Sequence, residues 1–247
     1  MKFYSQNNQD KIINHLLKKK NGVFLDIGAN DGITISNTYY FEKKLNWTGL
    51  CIEPIGEVFN ILSTNRNCLC LNCGVWSSST TLKFYRAEGY SEMLSGIVDS
   101  FNNEHLGRLN DEIRKYGGYL EIIEIKVESI NSILEKYGLF DVDFLSIDTE
   151  GSEYEILSSL DFERFKIKIL VVENQYDIQK LRGFLKKKNY KFFKRVGCDD
   201  LFILNKYSSN FSFRFRLFSY NSAVFIESNK HAVFHKLKKL FLYIFRK

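Results

Sequence analysis

The chain reads as an α/β protein with a doubly wound sheet and helices on both faces. Three observations carry that reading. Short apolar runs of strand length alternate with stretches in which apolar residues recur at helical spacing. The first of those runs leads into a glycine turn, FLDIGANDG at 24–32. Several of the runs end in acids or polar residues, and in an open α/β sheet ligands bind outside the carboxyl ends of the strands.

The elements follow in order. Polar YSQNNQD at 4–10 precedes a helix carrying Ile12, Ile13, Leu16 and Leu17, closed by Lys18 to Lys20 and Asn21-Gly22. Residues 24–27 form a buried strand. The turn from Gly28 to Gly32 leads towards a helix that buries Tyr40, Phe41 and Leu45 and ends near Trp47. Residues 48–53 make the second strand, which ends in Glu53 before Pro54, the only proline in the chain. A helix at 58–62 and a third strand at 69–75 come next. Residues 80–86 and 121–128 alternate as an antiparallel pair around an insertion of loop and helix, the kind of insertion that shapes a substrate mouth. A helix at 130–137, a strand at 142–147, an acidic turn and a helix at 154–160 then lead to a strand at 168–172, which ends in Glu173-Asn174. An amphipathic helix at 178–188 and an antiparallel pair, 190–196 with 200–204, close the domain.

With 247 residues, 45% of them apolar, the chain can bury one sizeable core. The predicted division is a domain at 1–206 and an extension at 207–247. The five cysteines are odd in number and scattered, which fits reduced thiols in a cytoplasmic protein better than a secreted disulfide framework. Cys68, Cys70 and Cys73 have no fourth Cys or His nearby, so they read as buried thiols and not as a zinc site. No stretch has a signal peptide's apolar core or approaches the roughly 20 apolar residues of a bilayer span.

The net charge of +6 sits in the extension, which carries +7 from Tyr207 onward against −1 for the rest. A basic balance is therefore no property of the main domain. In the extension, Phe211, Phe213, Phe215 and Leu217 alternate with polar residues as an edge strand or added hairpin would. Val233, Phe234, Leu237, Leu240, Phe241, Ile244 and Phe245 then share one helical face, with Lys236, Lys238, Lys239 and Arg246 on the others. Such a helix either lies peripherally on an anionic membrane or packs on its own domain or a second subunit. No motif for reading nucleic acid accompanies it.

The chemistry gathers at the strand ends. Glycines at 28 and 32 let backbone approach a bound molecule, and Asn30 tolerates a left-handed conformation. Glu53 stands 27 residues after Asp26, where a carboxylate can accept both hydroxyls of a ribose. The strand at 142–147 runs into Asp148, Thr149, Glu150, Gly151, Ser152 and Glu153. Acids in a helix's first turn complement its dipole, which accounts for at least one of these glutamates but not for Glu173. Asp148, Glu173 and Asn174 could offer oxygens to a hard divalent cation such as Mg²⁺. His105 belongs to the insertion, and its simplest reading is a surface histidine.

Together YSQNNQD, FLDIGANDG, SNT at 36–38, WTGLCIEP at 47–54 and IDTEGSEYEIL at 147–157 resemble the FkbM-type methyltransferases, in order and over about residues 4–205. The resemblance implies a Rossmann-like, seven-stranded, S-adenosylmethionine-dependent fold that O-methylates a hydroxyl of a sugar, glycan or glycosylated small molecule. Carried over residue by residue, Asp26, Gly28, Asn30 and Gly32 would line the methionine part of the cofactor. Glu53 would hold the ribose, and Asn72 and Cys73 would approach the adenine. Ser36 and Asn37 match the SNT signature, Gln6 and Asp10 the leading polar motif, and Asp148 and Glu150 the acids nearest the methyl group. The hydroxyl's proton would leave to Asp148 or Glu150, or be acidified by a metal at Asp148, Glu173 and Asn174. The acids after strands four and five are also similar to metal-dependent catechol-type O-methyltransferases, but Glu150 and Glu153 stand where those carry a lysine. The place where base-methylating enzymes carry Asp or Asn, two prolines and an aromatic reads DTEG here, so no nucleic-acid acceptor is expected. The rival expectations are a non-catalytic adaptor that keeps this fold, and methylation of a lipid-linked acceptor at a membrane surface.

Overall fold

The computed structural model describes residues 2–175, 178–209, 213–214 and 216–220. The chain enters through α1 (Gln9–Leu17), whose Ile12, Ile13 and Leu16 are buried, and passes into β1 (Val23–Ile27). After the glycine turn the chain does not enter a helix at once, and α2 (Tyr39–Leu45) carries the expected Tyr40, Phe41 and Leu45. Residues 33–38 loop instead, and Ser36 Oγ accepts from the backbone N–H of Tyr39 at 3.1 Å. Then come β2 (Thr48–Ile52) and α3 (Gly56–Asn65).

The third predicted strand divides in two, β3 (Leu69–Leu71) and β4 (Gly74–Trp76). The break falls at Asn72, whose Nδ2 donates to the carbonyls of Glu53 and Pro54 at 2.9 and 3.0 Å. Beyond it a Cβ on Gly74 would stand 2.9 Å from Ile125 and Val127, so only a glycine lets β4 lie this close to its neighbour strand. The insertion comprises β5 (Thr80–Ala87), β6 (Gly96–Ile97), α4 (Asn103–Tyr116) and β7 (Leu120–Ser129). The remaining elements are α5 (Ile130–Lys136), β8 (Asp141–Ile147), α6 (Glu153–Ser159), β9 (Lys166–Glu173), α7 (Ile178–Lys187), β10 (Tyr190–Val196), β11 (Asp199–Leu204) and α8 (Asn205–Ser208).

Seven strands form one sheet in the order β10-β11-β9-β8-β1-β2-β3, with β11 antiparallel to both neighbours. A second sheet, β4-β7-β5-β6, belongs to the insertion. Alternate residues of the central strands serve two cores. Leu25, Ile27, Leu145 and Ile147 pack against Ile133, Ile156 and Leu181 on one face, and Phe24, Cys51, Phe144 and Ile169 pack against Ile13, Leu16 and Phe41 on the other. Each such side chain contributes about 1.5–3 kcal/mol on burial, so the sheet's register is held from both sides.

The extension departs from the expected edge strand. Residues 213–214 and 216–220 are helical, because Phe213, Leu217 and Tyr220 recur at helical spacing and reach the same core cluster as α1. His15 Nε2 lies 3.1 Å from the Arg216 carbonyl and 3.0 Å from Ser219 Oγ. The amphipathic stretch from Val233 to Phe245 lies outside the described residues. Among those residues no helix is long and apolar enough to cross a membrane.

Candidate active site

Strand order reverses between β1 and β8, and the ends of these two strands almost touch. A Cβ on Gly28 would lie 1.8 Å from the Asp148 carbonyl oxygen, and Gly28 itself has φ +81°. The backbone N–H groups of Gly28 and Ala29 both donate to the Ile52 carbonyl at 3.0 Å. The turn is thus pinned to β2 on one side and pressed on β8 on the other.

One cleft opens here, lined by Asp26, Gly28, Asn30, Asn37, Glu53, Cys73, Asp148, Glu150 and Glu173. Three of the expected site residues stand elsewhere. A Cβ on Gly32 would strike Leu62 and Arg66, so this glycine serves the contact with α3. Asn72 braces the turn after β2, as described above. Asn174 donates through Nδ2 to Asp200 Oδ2 at 2.8 Å and to the Ile178 carbonyl at 3.2 Å, outside the cleft lining. Asp10 likewise orders its own segment, accepting from the Tyr4 N–H and from Ser5 Oγ at 2.6 Å, whereas Gln6 reaches the cleft. Of the cysteines set aside as a zinc site, Cys73 faces the cleft while Cys68 lies on the other side of the sheet, 3.6 Å from Cys51.

On one wall, Glu53 accepts from the N–H groups of Asn30 and Ile55 at 3.1 and 2.9 Å, one on each carboxyl oxygen. Burial pushes its pKa up to about 7 against these two bonds. Asp26, also raised by burial, accepts from Thr38 Oγ1 at 2.5 Å. Asn37 donates to Ser146 Oγ at 3.0 Å, and its buried Oδ1 has no hydrogen-bond partner among the described residues.

The opposite wall is acidic. Carboxyl oxygens of Asp148, Glu150 and Glu173 lie within 4.8 Å of one another. Burial and mutual repulsion raise Asp148 and Glu173 well above the carboxylate range and push Glu150 up to about 8. By surface area Asp148 is the most exposed of the three, while Glu150 and Glu173 are buried. Protons or a cation must offset this crowding. The three carboxylates offer hard oxygen donors of the kind a divalent cation takes, Glu150 standing beside the expected Asp148 and Glu173. Glu153, the first residue of α6, braces the turn before it, accepting from the N–H groups of Thr149 and Gly151.

His105 is fully buried, against the expected surface position. Its ring stacks on Phe101 at 3.8 Å, and Nε2 stands 3.2 Å from Glu150 Oε2. Burial holds the imidazole down to about 4 and pushes Glu150 up to about 8, so at neutral pH the imidazole is neutral and the glutamate carries a proton. The one local signal was Asn102, which caps α4 by accepting from the His105 N–H at 2.8 Å and so fixes the helix that carries the ring. Arg108, one turn further along α4, also reaches the cleft.

A doubly wound sheet with a glycine turn, an acid ending β2 and a cleft at the strand-order reversal defines an α/β protein built to hold a nucleotide-like ligand. More narrowly, the chain belongs to the methyltransferase FkbM domain family, whose model matches residues 26–192. It is 26% identical over 175 residues to methyltransferase sdnD of Sordaria araneosa, a match covering 62% of this chain and 66% of that protein, just under two thirds of its length. Among solved structures it is similar to methyltransferase FkbM of Methylobacillus flagellatus, with a TM-score of 0.44 and 14% identity, covering 74% of this chain and 43% of that one. It is similar also to TrmK of M. capricolum, solved with S-adenosyl-homocysteine, with a TM-score of 0.38 and 12% identity, covering 78% of this chain and 66% of that one.

Proposed function

We propose that this chain is an S-adenosylmethionine-dependent methyltransferase that O-methylates a hydroxyl of a sugar, glycan or glycosylated small molecule. The observation that carries the reading is one cleft with Gly28 and Glu53 on one wall and the acids of β8 and β9 on the other. The cofactor suits the residues present. Gly28 lines the cleft in a left-handed turn at φ +81°, and the buried Asn37 Oδ1 has no hydrogen-bond partner among the described residues. Bound there, the cofactor supplies an electrophilic methyl group on a sulfonium. Glu53 keeps lone pairs beyond its two backbone bonds to accept ribose hydroxyls, while Asp26 and Asn37 face the methionine part. Asp148 and Glu150 flank the acceptor's hydroxyl, and either Asp148 or Glu150, whichever is ionised in the bound complex, takes its proton; fixing donor and acceptor in line supplies much of the acceleration.

Calorimetric titration with S-adenosylmethionine tests this reading. Glu53→Ala is expected to weaken binding by roughly 10- to 100-fold, the worth of charge-assisted hydrogen bonds. A folded wild-type protein that binds nothing would overturn the reading in favour of an adaptor. A lipid-linked acceptor is the second reading, supported by the basic, aromatic composition after Tyr207. It requires that full-length protein sediment with anionic vesicles and that protein ending at Lys206 not do so.

A further inference from the structure

Arg66 lies just beyond α3, only 4% exposed, and takes no part in lining the cleft. Its Nε donates to Glu42 Oε2 at 2.6 Å, which matches its charge. The rest of the guanidinium fork is turned elsewhere. Nη1 donates to the Gly32 carbonyl at 3.2 Å and Nη2 to Thr38 Oγ1 at 3.0 Å, so the fork ties the glycine turn to the start of α2. Those two segments frame Asp26. Thr38 Oγ1, accepting from Arg66, donates in turn to Asp26 Oδ2 at 2.5 Å, and Nη1 stands 4.0 Å from that same oxygen. Phe24 and Tyr39 flank the guanidinium at 5.2 and 5.7 Å from their ring centres, which limits the orientations open to it. A buried carboxylate needs such a partner to stay charged, and Asp26 is buried at the end of β1, where it faces the cleft.

We propose that Arg66 is a positioning residue which, through Thr38, holds Asp26 as a carboxylate turned towards the ammonium of the bound S-adenosyl ligand. The inference rests on the cofactor reading above. It predicts selectivity, because only ligands that carry the amino-acid part depend on Asp26. S-adenosylhomocysteine and methylthioadenosine, which lacks that part, are titrated calorimetrically into wild-type protein and the variants Arg66→Met, Arg66→Lys and Thr38→Val, each checked for folding by thermal melt.

Arg66→Met is expected to weaken S-adenosylhomocysteine roughly tenfold or more and methylthioadenosine less than about twofold. Arg66→Lys, which keeps the charge, recovers part of that loss. Thr38→Val leaves the Arg66–Glu42 pair in place and shows the same selectivity, so it decides the matter if Arg66→Met fails to fold. Equal weakening of both ligands, or no weakening, overturns the proposal. Wild-type protein that binds neither ligand overturns the cofactor reading and this one with it, and it is distinguished by appearing without any substitution.

Discussion

Glu150 combines two features that are unfavourable alone, a left-handed backbone at φ 55° and a buried carboxyl raised to about 8. Strain of this kind persists only where the surroundings impose it, here through β8 below and His105 above. Replacing Glu150 with glycine relieves the backbone and removes the buried acid, so urea unfolding is expected to show a gain of about 1 kcal/mol. Methyl transfer should fall in the same variant. Undiminished turnover would remove Glu150 from the chemistry, and a loss of stability would show that its contact with His105 outweighs the strain.

At the scale of an element, β8 carries acids at both ends with opposite fates. Asp143, buried near its start, pairs with Lys19 and Lys168 and accepts from the Val23 N–H at 3.0 Å. These bonds outweigh burial and hold its carboxyl below the usual range. Its stabilisation is therefore present above the unfolded value near 4 and lost as pH falls through the lower folded value. Asp143→Asn should cost about 2 kcal/mol at neutral pH, discounted because both lysines are partly exposed, and should cost little in strong acid. Chemical denaturation at both pH values checks this. Just past the far end of β8, Asp148 meets Glu150 and Glu173 with Arg108 of α4 as a cation of the cleft lining, an arrangement unlike the paired acid at the other end.

Across the whole molecule, the acids of the cleft set the sign of its pH dependence. Glu53 and Glu150 titrate at about 7 and about 8, above their unfolded values. The stability they contribute is complete below the unfolded value near 4.5 and is lost as pH rises through 7 and 8. Urea midpoints should therefore fall between about pH 5 and about pH 9. If Asp148, Glu150 and Glu173 hold a cation, millimolar Mg²⁺ should restore part of the loss at the alkaline end and chelation should remove that gain, because such a cation binds only the folded chain. Stability that is flat with pH and indifferent to Mg²⁺ would show the cluster to be relieved by solvent alone.

Much of this was written in local spacing. The alternation of buried runs and helical stretches marked the strands of the main sheet and their polar ends. Parallel strands bring those ends to one edge, so FLDIGANDG, Glu53, Asp148 and Glu173 could be placed beside one cleft from their positions alone. Period and turn chemistry act between neighbours in the chain, which is why they are legible there. The tertiary structure decided which side chains at that edge face inward. Gly32 and Asn72 lie close in sequence to cleft residues yet serve the contact with Leu62 and Arg66 and the turn after β2, and Asn174 turns its Nδ2 to Asp200. The break at Asn72 sends β4 into the insertion's sheet, and the folding back of α4 buries His105 against Glu150. Arg66 reaches Asp26 only because α3 and the start of α2 pack on the same side of β1. Each of these contacts joins residues far apart in the chain, where spacing carries no information and close packing chooses the partner.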